Sequence, residues 1–308
     1  MRVDAHVHVM PPSYLSALER AFGERPPGVV PSSPADLLEL MERYEIDAAV
    51  VSLGPPGVHF GDGPQAAELA RRVNEEAAGL VRSDPGHLAA LATLPLPDVD
   101  AAIEEIAFAL DDLRLDGVFL LTNVGGIYLG DERFDAVFDE LERRGAYAFV
   151  HPTLPPHPLP LAHPVWLYEF TFETTRAVAQ LVYSGTLERC PHVRTQLAHL
   201  GGTVPFLAHR LASLAEREPP LAERAPAGAL TYLRRLYYDT GLANNAVALA
   251  STLEVTDLDH VVFGSDWPYA ALPREGRDPA PGLNGLGDRR ALVDGANAAA
   301  LVPRFATG

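Results

Sequence analysis

Short apolar runs rich in Val, Leu and Phe alternate along the chain with longer stretches in which apolar residues recur at helical spacing. The short runs are typical of strands buried on both faces, and the longer stretches are typical of amphipathic helices. We count eight strand–helix units in succession, an order typical of repeated βα units around a parallel sheet. The pattern therefore predicts an α/β fold, a (β/α)8 TIM barrel formed as a single domain by residues 1–308, with a doubly wound open sheet as the structural alternative.

The predicted strands are short, and most connections between them are helical. The strands are expected at 2–9, 48–53, 87–94, 117–121, 146–151, 193–199, 236–240 and 260–265. Helices are expected at 34–44, 64–80, 101–113, 134–144, 173–187 and 204–215, with a second helical stretch after the last. A proline-rich loop is expected after the first strand. The segment 152–172 after the fifth strand is too long for a simple connection, so we expect it to form a lid.

The charge balance and the basic residues exclude several partners and chemistries. The chain has 41 acidic and 24 basic residues, a formal net charge of −17, which argues against binding to nucleic acid or to an anionic membrane. All 24 basic residues are arginine. Without lysine the chain cannot form a pyridoxal phosphate Schiff base, a lysine aldolase site, a Walker A loop or a carboxylated lysine that bridges two metals.

Cys190 is the only cysteine of the chain. An intramolecular disulfide and a zinc site built from cysteines are therefore impossible, and we expect a reducing, cytoplasmic location. No apolar run approaches the length of a membrane span, and because His6 already lies in a predicted strand we expect no signal peptide.

Candidate metal ligands fall at the ends of predicted strands. His6 and His8 are one residue apart on the first strand, so their side chains point the same way and suit one shared ion. His151 ends the fifth strand, His199 ends the sixth, and Asp266 follows the eighth. Because the carboxyl ends of all strands of a parallel barrel meet on one face, these residues predict one metal site there. The alternative is a scatter of structural histidines that cap helices or bond to the barrel wall.

The same residues carry a resemblance to a known family. The set His-X-His, His, His and Asp at strands one, five, six and eight resembles the amidohydrolase superfamily, and the missing lysine points to its mononuclear members. Longer segments resemble its decarboxylase branch, within amidohydrolase-related family 2, which includes the aminocarboxymuconate semialdehyde, γ-resorcylate and, most similar, 6-methylsalicylate decarboxylases. These segments begin at Glu173-Thr-Thr-Arg, Ser184-Gly-Thr-Leu, His199-Leu-Gly-Gly, Tyr128-Leu-Gly and Gly264-Ser-Asp-Trp-Pro-Tyr.

The resemblance implies a role for each candidate residue. One divalent metal would be bound by His6, His8, His151 and Asp266. Three nitrogens and one oxygen suit zinc, with manganese as the alternative. His199 would stand beside the metal as an acid or base, and Asp266 would also deliver a proton to the substrate.

Two further residues match positions that contact substrate in that branch. Arg210, eleven residues after His199, would reach a substrate carboxylate, in some members from the neighbouring subunit, so we expect a homodimer. Trp166 would line the same pocket. The alternatives are a solvated helix arginine and an aromatic side chain that packs within the lid. Residues 28–31 lack the second carboxylate-binding arginine of aminocarboxymuconate decarboxylase, which favours a small monocarboxylic aromatic acid as substrate.

The predicted function is metal-dependent, non-oxidative decarboxylation of an aromatic acid that is 2-hydroxybenzoate-like and of the 6-methylsalicylate type. Asp266 and His199 are the expected catalytic residues. The main alternative is hydrolysis of a lactone or amide at the same site. A third interpretation is a metal-binding scaffold or sensor without enzymatic activity.

Overall fold

Eight parallel strands form one sheet at the centre of the molecule. The computed structural model describes residues 1–307. The strands are β1 (Val3–His8), β2 (Ala48–Ser52), β3 (Leu88–Thr93), β4 (Gly117–Leu121), β5 (Tyr147–His151), β6 (Arg194–Leu197), β7 (Tyr237–Asp239) and β8 (Val261–Val262). Each strand pairs in parallel with the next along the chain.

The seam between β8 and β1 completes the barrel. Ala5 N donates to Phe263 O over 2.9 Å, and a parallel bridge joins Val7 to Trp267. His8 N also donates to Trp267 O over 2.9 Å. The predicted TIM barrel is therefore confirmed, and the open-sheet alternative is wrong.

Helices surround the sheet. They are α1 (Pro12–Phe22), α2 (Pro34–Tyr44), α3 (Gly63–Ser83), α4 (Val99–Ala107), α5 (Asp135–Arg144), α6 (Glu169–Tyr183), α7 (Thr186–Arg189), α8 (Val204–Ala215), α9 (Pro219–Arg224), α10 (Ala229–Arg234), α11 (Ala246–Leu253) and α12 (Asn297–Leu301). The bounds of α2 match the prediction because its signals are local: Pro34 stands in the first turn, and Ser33 forms a capping box with Asp36. Within residues 1–307, none of these helices combines the length and the apolar character needed to cross a membrane.

Two predicted connections differ from the structure. The segment expected as a proline-rich loop contains α1, in which Pro12 occupies the first turn, where a missing N–H removes no helical hydrogen bond. Tyr14 and Leu18 lie one helical turn apart and bury the inner face of α1. α6 begins at Glu169, so the segment after β5 is shorter than predicted and spans 152–168. Its role as a lid stays a prediction.

A small hairpin and α11 lie outside the predicted elements. The hairpin pairs Asn123–Val124 with Ile127–Tyr128 directly after β4. Its strands are two residues long, too short to give an alternating pattern of polar and apolar residues.

Aromatic side chains fill the barrel interior beneath its carboxyl end. Alternate residues of each strand point inward, and those of β4 and β5 include the buried Phe119 and Phe149. The centroids of these two rings are 5.9 Å apart. Phe149 lies 4.8 Å from the ring of His6, and Phe119 lies 5.7 Å from the ring of His151, centroid to centroid. Phe119 and Phe149 therefore pack beneath the histidines at the rim of the barrel and support them.

Candidate metal centre

Four side chains from the ends of β1, β5 and β8 converge at the carboxyl end of the barrel. His6 Nε2 lies 3.0 Å from His8 Nε2 and 3.1 Å from Asp266 Oδ1. One ligand atom from each of these residues and one from His151 all lie within 4.8 Å of one another. All four side chains are buried. The structure thus brings the whole predicted ligand set together, and we call these four residues the His/Asp cluster.

The outer ring nitrogens of two of these histidines face atoms that only accept hydrogen bonds. His6 Nδ1 lies 3.0 Å from Asp239 Oδ1, and His151 Nδ1 lies 2.7 Å from Pro152 O. Both Nδ1 atoms therefore carry a proton, which fixes the tautomer of each neutral ring. In that tautomer, Nε2 presents a lone pair toward the centre of the cluster.

The third histidine has the same arrangement. His8 Nδ1 lies 3.0 Å from Ser52 Oγ, and Ser52 Oγ donates its own proton to Val7 O over 3.2 Å. The hydroxyl oxygen therefore accepts a hydrogen bond from the Nδ1–H of His8. Three Nε2 lone pairs consequently face one region between the side chains.

Two buried polar atoms in this region have no hydrogen-bond partner within the described chain, 1–307. They are His151 Nε2 and Asp266 Oδ1. Packing unpaired acceptors against one another is unfavourable unless a cation lies between them. Three imidazole nitrogens and one carboxylate oxygen form a donor set suited to a divalent cation. The His/Asp cluster therefore fits a divalent metal.

The electrostatics of the cluster favour metal-binding forms at all residues except one. Burial lowers the pKa of His8 to about 4 and that of His151 well below its usual range, so both rings are neutral at neutral pH. Burial also opposes charge on His6, but Asp239 and Asp266 outweigh it and raise the pKa of His6 to about 10. Burial alone would raise the pKa of Asp266, but His6 holds it well below the usual range. Without a metal, the extra proton of His6 takes the place of the cation.

His199 stands beside the cluster. It lies two residues after the end of β6, and its backbone φ of 57° lies in the left-handed region. Its Nδ1 lies 2.9 Å from Gly241 O, so Nδ1 carries the proton and Nε2 is free to accept one. Its ring centroid lies 5.3 Å from that of His6 and 5.6 Å from that of His151. This position agrees with the predicted one, and the acid–base role stays a prediction.

A largely apolar cavity of about 330 Å³ opens onto His151 and Asp266. Its walls come from segments that are far apart in sequence, most of them loops, and include Val30, Leu154, Trp166, Tyr269 and, on α6, Phe170. No arginine of the described residues lines it. Walls of this composition suit a single aromatic ring that carries small apolar substituents.

The two predicted substrate contacts lie in different places. Trp166 lines the cavity, and its ring packs against Gly28 on the facing loop. Arg210 is exposed on α8 and does not line the cavity of its own chain. A role for Arg210 in substrate binding therefore requires a second copy of the chain.

Two residues that support the cluster lie outside the predicted set. Asp239 is the last residue of β7, and it meets the same strand-end criterion that singled out the histidines. Burial would raise the pKa of Asp239, but His6 outweighs it and keeps that pKa below the usual range. Ser52 ends β2, and nothing in the sequence distinguishes it from other serines.

Comparison with known proteins agrees with the geometry of the site. The Amidohydrolase family model matches residues 3–304. A 6-methylsalicylic acid decarboxylase of Penicillium expansum is 34% identical over 285 residues, which cover 87% of this chain and 85% of that protein. A 2-amino-3-carboxymuconate-6-semialdehyde decarboxylase of Dictyostelium discoideum is 27% identical over 241 residues, 75% of this chain and 66% of that protein.

Solved structures give the same result. A 2,6-dihydroxybenzoate decarboxylase complexed with 2,6-dihydroxybenzoate superposes with a TM-score of 0.81 at 25% identity, over 97% of this chain and 98% of that one. The resemblance drawn from the sequence is confirmed. The chain therefore belongs to the amidohydrolase family and is an enzyme of its carboxy-lyase branch.

Proposed function

We propose that the enzyme catalyses metal-dependent, non-oxidative decarboxylation of a small 2-hydroxybenzoate-like acid of the 6-methylsalicylate type. The observation that carries the proposal is the apolar, ring-sized cavity that opens directly onto the His/Asp cluster. The relative from Penicillium expansum is named for 6-methylsalicylic acid, which has one carboxylate and an apolar methyl group. Val30 and Leu154 are cavity walls suited to such a group.

Decarboxylation of an aromatic ring needs a proton for the ring carbon and a place for the electron pair that the carboxylate leaves behind. A divalent cation in the His/Asp cluster would supply positive charge beside the carboxylate or phenol oxygen. Asp266 lies where the cluster meets the cavity, which supports our assignment of its carboxyl group as the proton donor. Because Asp266 is charged at neutral pH, it must first receive that proton. His199, with its free Nε2, would relay it from the phenol.

Zinc is our first choice of metal. Three imidazole nitrogens and one carboxylate oxygen match its common catalytic ligand sets, with a position left open for substrate. Manganese is the alternative, because substrate oxygens would then make up much of the coordination shell. Elemental analysis of protein purified without added metal distinguishes the two.

The test of the function follows carbon dioxide release from metal-loaded protein incubated with a panel of salicylates. We expect 6-methylsalicylate to yield 3-methylphenol and carbon dioxide, with no turnover after the metal is removed by a chelator. The rival function is hydrolysis. No carbon dioxide from any salicylate, together with incorporation of water oxygen during lactone opening, would refute decarboxylation in favour of hydrolysis.

We also propose a homodimer in which Arg210 of the partner subunit faces the substrate carboxylate. The support is that Arg210 is exposed and that no arginine within residues 1–307 of the same chain lines the cavity. Phe206, one helical turn before Arg210 on α8, is 84% exposed. Exposing a large aromatic side chain to water is unfavourable, which favours a partner subunit that covers it. Light scattering is expected to give twice the chain mass. A fully active monomer would exclude the proposed role of Arg210.

We place the enzyme in the cytoplasm. Its single cysteine, Cys190, is buried and unpaired, as expected in a reducing compartment. Cell fractionation with immunodetection tests this location.

A further inference from the structure

The carboxylate of Asp239 is fully buried and accepts four hydrogen bonds. Its Oδ1 accepts from the ring of His6 at 3.0 Å, from the backbone N–H of His199 at 3.1 Å and from that of Gly241 at 3.0 Å. Its Oδ2 accepts from Gln196 Nε2 at 2.8 Å. One side chain therefore contacts both a member of the His/Asp cluster and the residue beside it.

The orientation of the Asp239 carboxylate is fixed by Gln196, which is in turn fixed by Tyr147. Tyr147 donates its hydroxyl proton to Gln196 Oε1 over 2.6 Å, and Gln196 Nε2 also donates to Ala5 O over 3.2 Å. The amide of Gln196 therefore cannot flip without losing both bonds. Its NH2 group therefore stays directed at Asp239 Oδ2.

The contact with His199 stabilises an unfavourable backbone conformation. His199 and Leu200 have φ values of 57° and 52°, in the left-handed region that is unfavourable for residues with side chains. Asp239 Oδ1 holds the N–H of His199 in this turn. It also holds the N–H of Gly241, whose carbonyl oxygen accepts from His199 Nδ1 at 2.9 Å. Both the backbone and the ring of His199 thus depend on Asp239.

We propose that Asp239 is a positioning residue that couples the metal centre to the acid–base group. Through His6 Nδ1 it directs one Nε2 lone pair at the cation site, and through His199 N and Gly241 it directs a second Nε2 at the substrate. The metal half of the inference stands on the cluster alone, and the acid–base half rests on the proposed function. Disturbing this one carboxylate disturbs both groups together.

The test compares Asp239→Asn with a matched control, Glu105→Gln. Glu105 is also a buried carboxylate, but its hydrogen bonds come from Arg71 and Asn74 on α3 and not from the site residues. Both variants replace a buried carboxylate by an amide of similar shape. A loss of function that arises only from weaker folding therefore appears in both.

Three measurements use no substrate. Zinc affinity is measured by calorimetry, coordination geometry by the visible spectrum of the cobalt-loaded protein, and ring hydrogen bonds by nuclear magnetic resonance of zinc-loaded protein with 15N-labelled histidine. For Asp239→Asn we expect zinc affinity to fall roughly 10- to 100-fold, as for other partners of metal-bound histidines. The cobalt spectrum and the Nδ1–H signals of both His6 and His199 are expected to change. Glu105→Gln leaves all three readouts unchanged.

The outcomes separate the two halves of the inference. If the Asp239→Asn variant matches the control in zinc affinity and in both ring signals, the inference is wrong. If only the His6 signal changes, and kcat at saturating metal equals that of the wild type, coupling to His199 is excluded.

If Asp239→Asn does not fold, Gln196→Met gives the same comparison, with a smaller loss of zinc affinity, about tenfold at most. A wild-type protein that binds zinc but releases no carbon dioxide contradicts the proposed function and leaves the metal half tested on its own.

Discussion

A strand-end histidine becomes a metal ligand only if its second ring nitrogen is held by an acceptor. His151 shows this: the carbonyl oxygen of the next residue, Pro152, lies 2.7 Å from Nδ1 and leaves Nε2 buried without a partner in residues 1–307. His192 Nδ1 also faces an acceptor, Glu142, but the His192 side chain is 77% exposed and, within the described part of the chain, does not meet other candidate ligands. The difference between a ligand and a surface histidine therefore lies in burial and in neighbouring ligands, which the sequence around one histidine does not reveal.

Replacement of His151 by alanine is expected to remove the metal. The loss of a direct ligand should exceed the roughly 10- to 100-fold decrease in affinity that follows loss of an outer partner. Calorimetry and elemental analysis measure this, with His87→Ala as control, because His87 is exposed and pairs with Asp84 far from the cluster. Unchanged metal content and turnover in His151→Ala would exclude the cluster as the metal site.

Metal affinity is expected to rise with pH. In the metal-free protein His6 has a pKa of about 10, so below that pH a cation must displace one proton to bind. Lower pH therefore favours the proton, and affinity should increase about tenfold per pH unit between roughly pH 6 and pH 8. Titrations in buffers of different ionisation enthalpy count the protons released. A constant affinity across this range would show that His6 is already neutral.

At the scale of elements, the predictable parts carry their signals within a few residues. The bounds of α2 follow from Pro34 and the capping box at Ser33, whereas the prolines around α1 indicate a loop although one of them begins a helix. The sequence signals that mark strand ends are also local, which is why the candidate ligand set could be predicted. The cavity is different, because Val30, Trp166 and Tyr269 come from separate loops whose meeting depends on the whole fold.

Glu173 on α6 links the hairpin after β4 to the segment after β5, which forms part of the cavity wall. Its carboxylate accepts hydrogen bonds from Asn123 at 2.8 Å, Tyr128 at 2.8 Å and Arg176 at 2.6 Å. The Asn123 amide also donates to Leu154 O over 3.2 Å, and Leu154 is a cavity wall. The hairpin after β4 and the segment after β5 are therefore joined to α6 through one buried carboxylate.

Replacement of Glu173 by glutamine is expected to lower the free energy of unfolding by about 1–3 kcal/mol, because hydrogen bonds to a buried charge are lost. The displaced Leu154 wall should raise KM for the aromatic acid, while metal content stays unchanged. Urea denaturation and elemental analysis check both effects. The control is Glu169→Gln, since Glu169 lies on the same helix and pairs with Arg176 but does not bond the hairpin residues Asn123 and Tyr128, whose bonds go to Glu173. Loss of metal from the Glu173 variant would contradict a role confined to the loops.

At the scale of the whole molecule, the His/Asp cluster spans the seam of the barrel. His6 and His8 lie on β1, Asp266 follows β8, and Asp266 N donates to His6 O over 2.9 Å across the seam. β8 is only two residues long, so few backbone bonds hold this edge. A cation bound by both sides would add a further link across the seam.

Zinc is therefore expected to protect the seam more than the rest of the sheet from hydrogen exchange. At a zinc concentration 100 times Kd, binding stabilises the bound form by about 2.7 kcal/mol, which slows exchange through local opening by about 100-fold. The amides of His8 and Asp266 should show this slowing, and those between β4 and β5 should show less. Mass spectrometry of deuterated peptides measures it. Equal protection of both regions would mean that the seam does not open on its own.

The seam also determines when the centre can exist during biosynthesis. Its histidines on β1 are translated before the other seven strands, whereas Asp266 is translated after all eight strands. While the strands between β1 and Asp266 are translated, the β1 imidazoles lack the carboxylate that completes their set. The cluster is consequently complete only once every strand of the barrel has been made, and a product terminated before Asp266 would be inactive however well its earlier strands had formed.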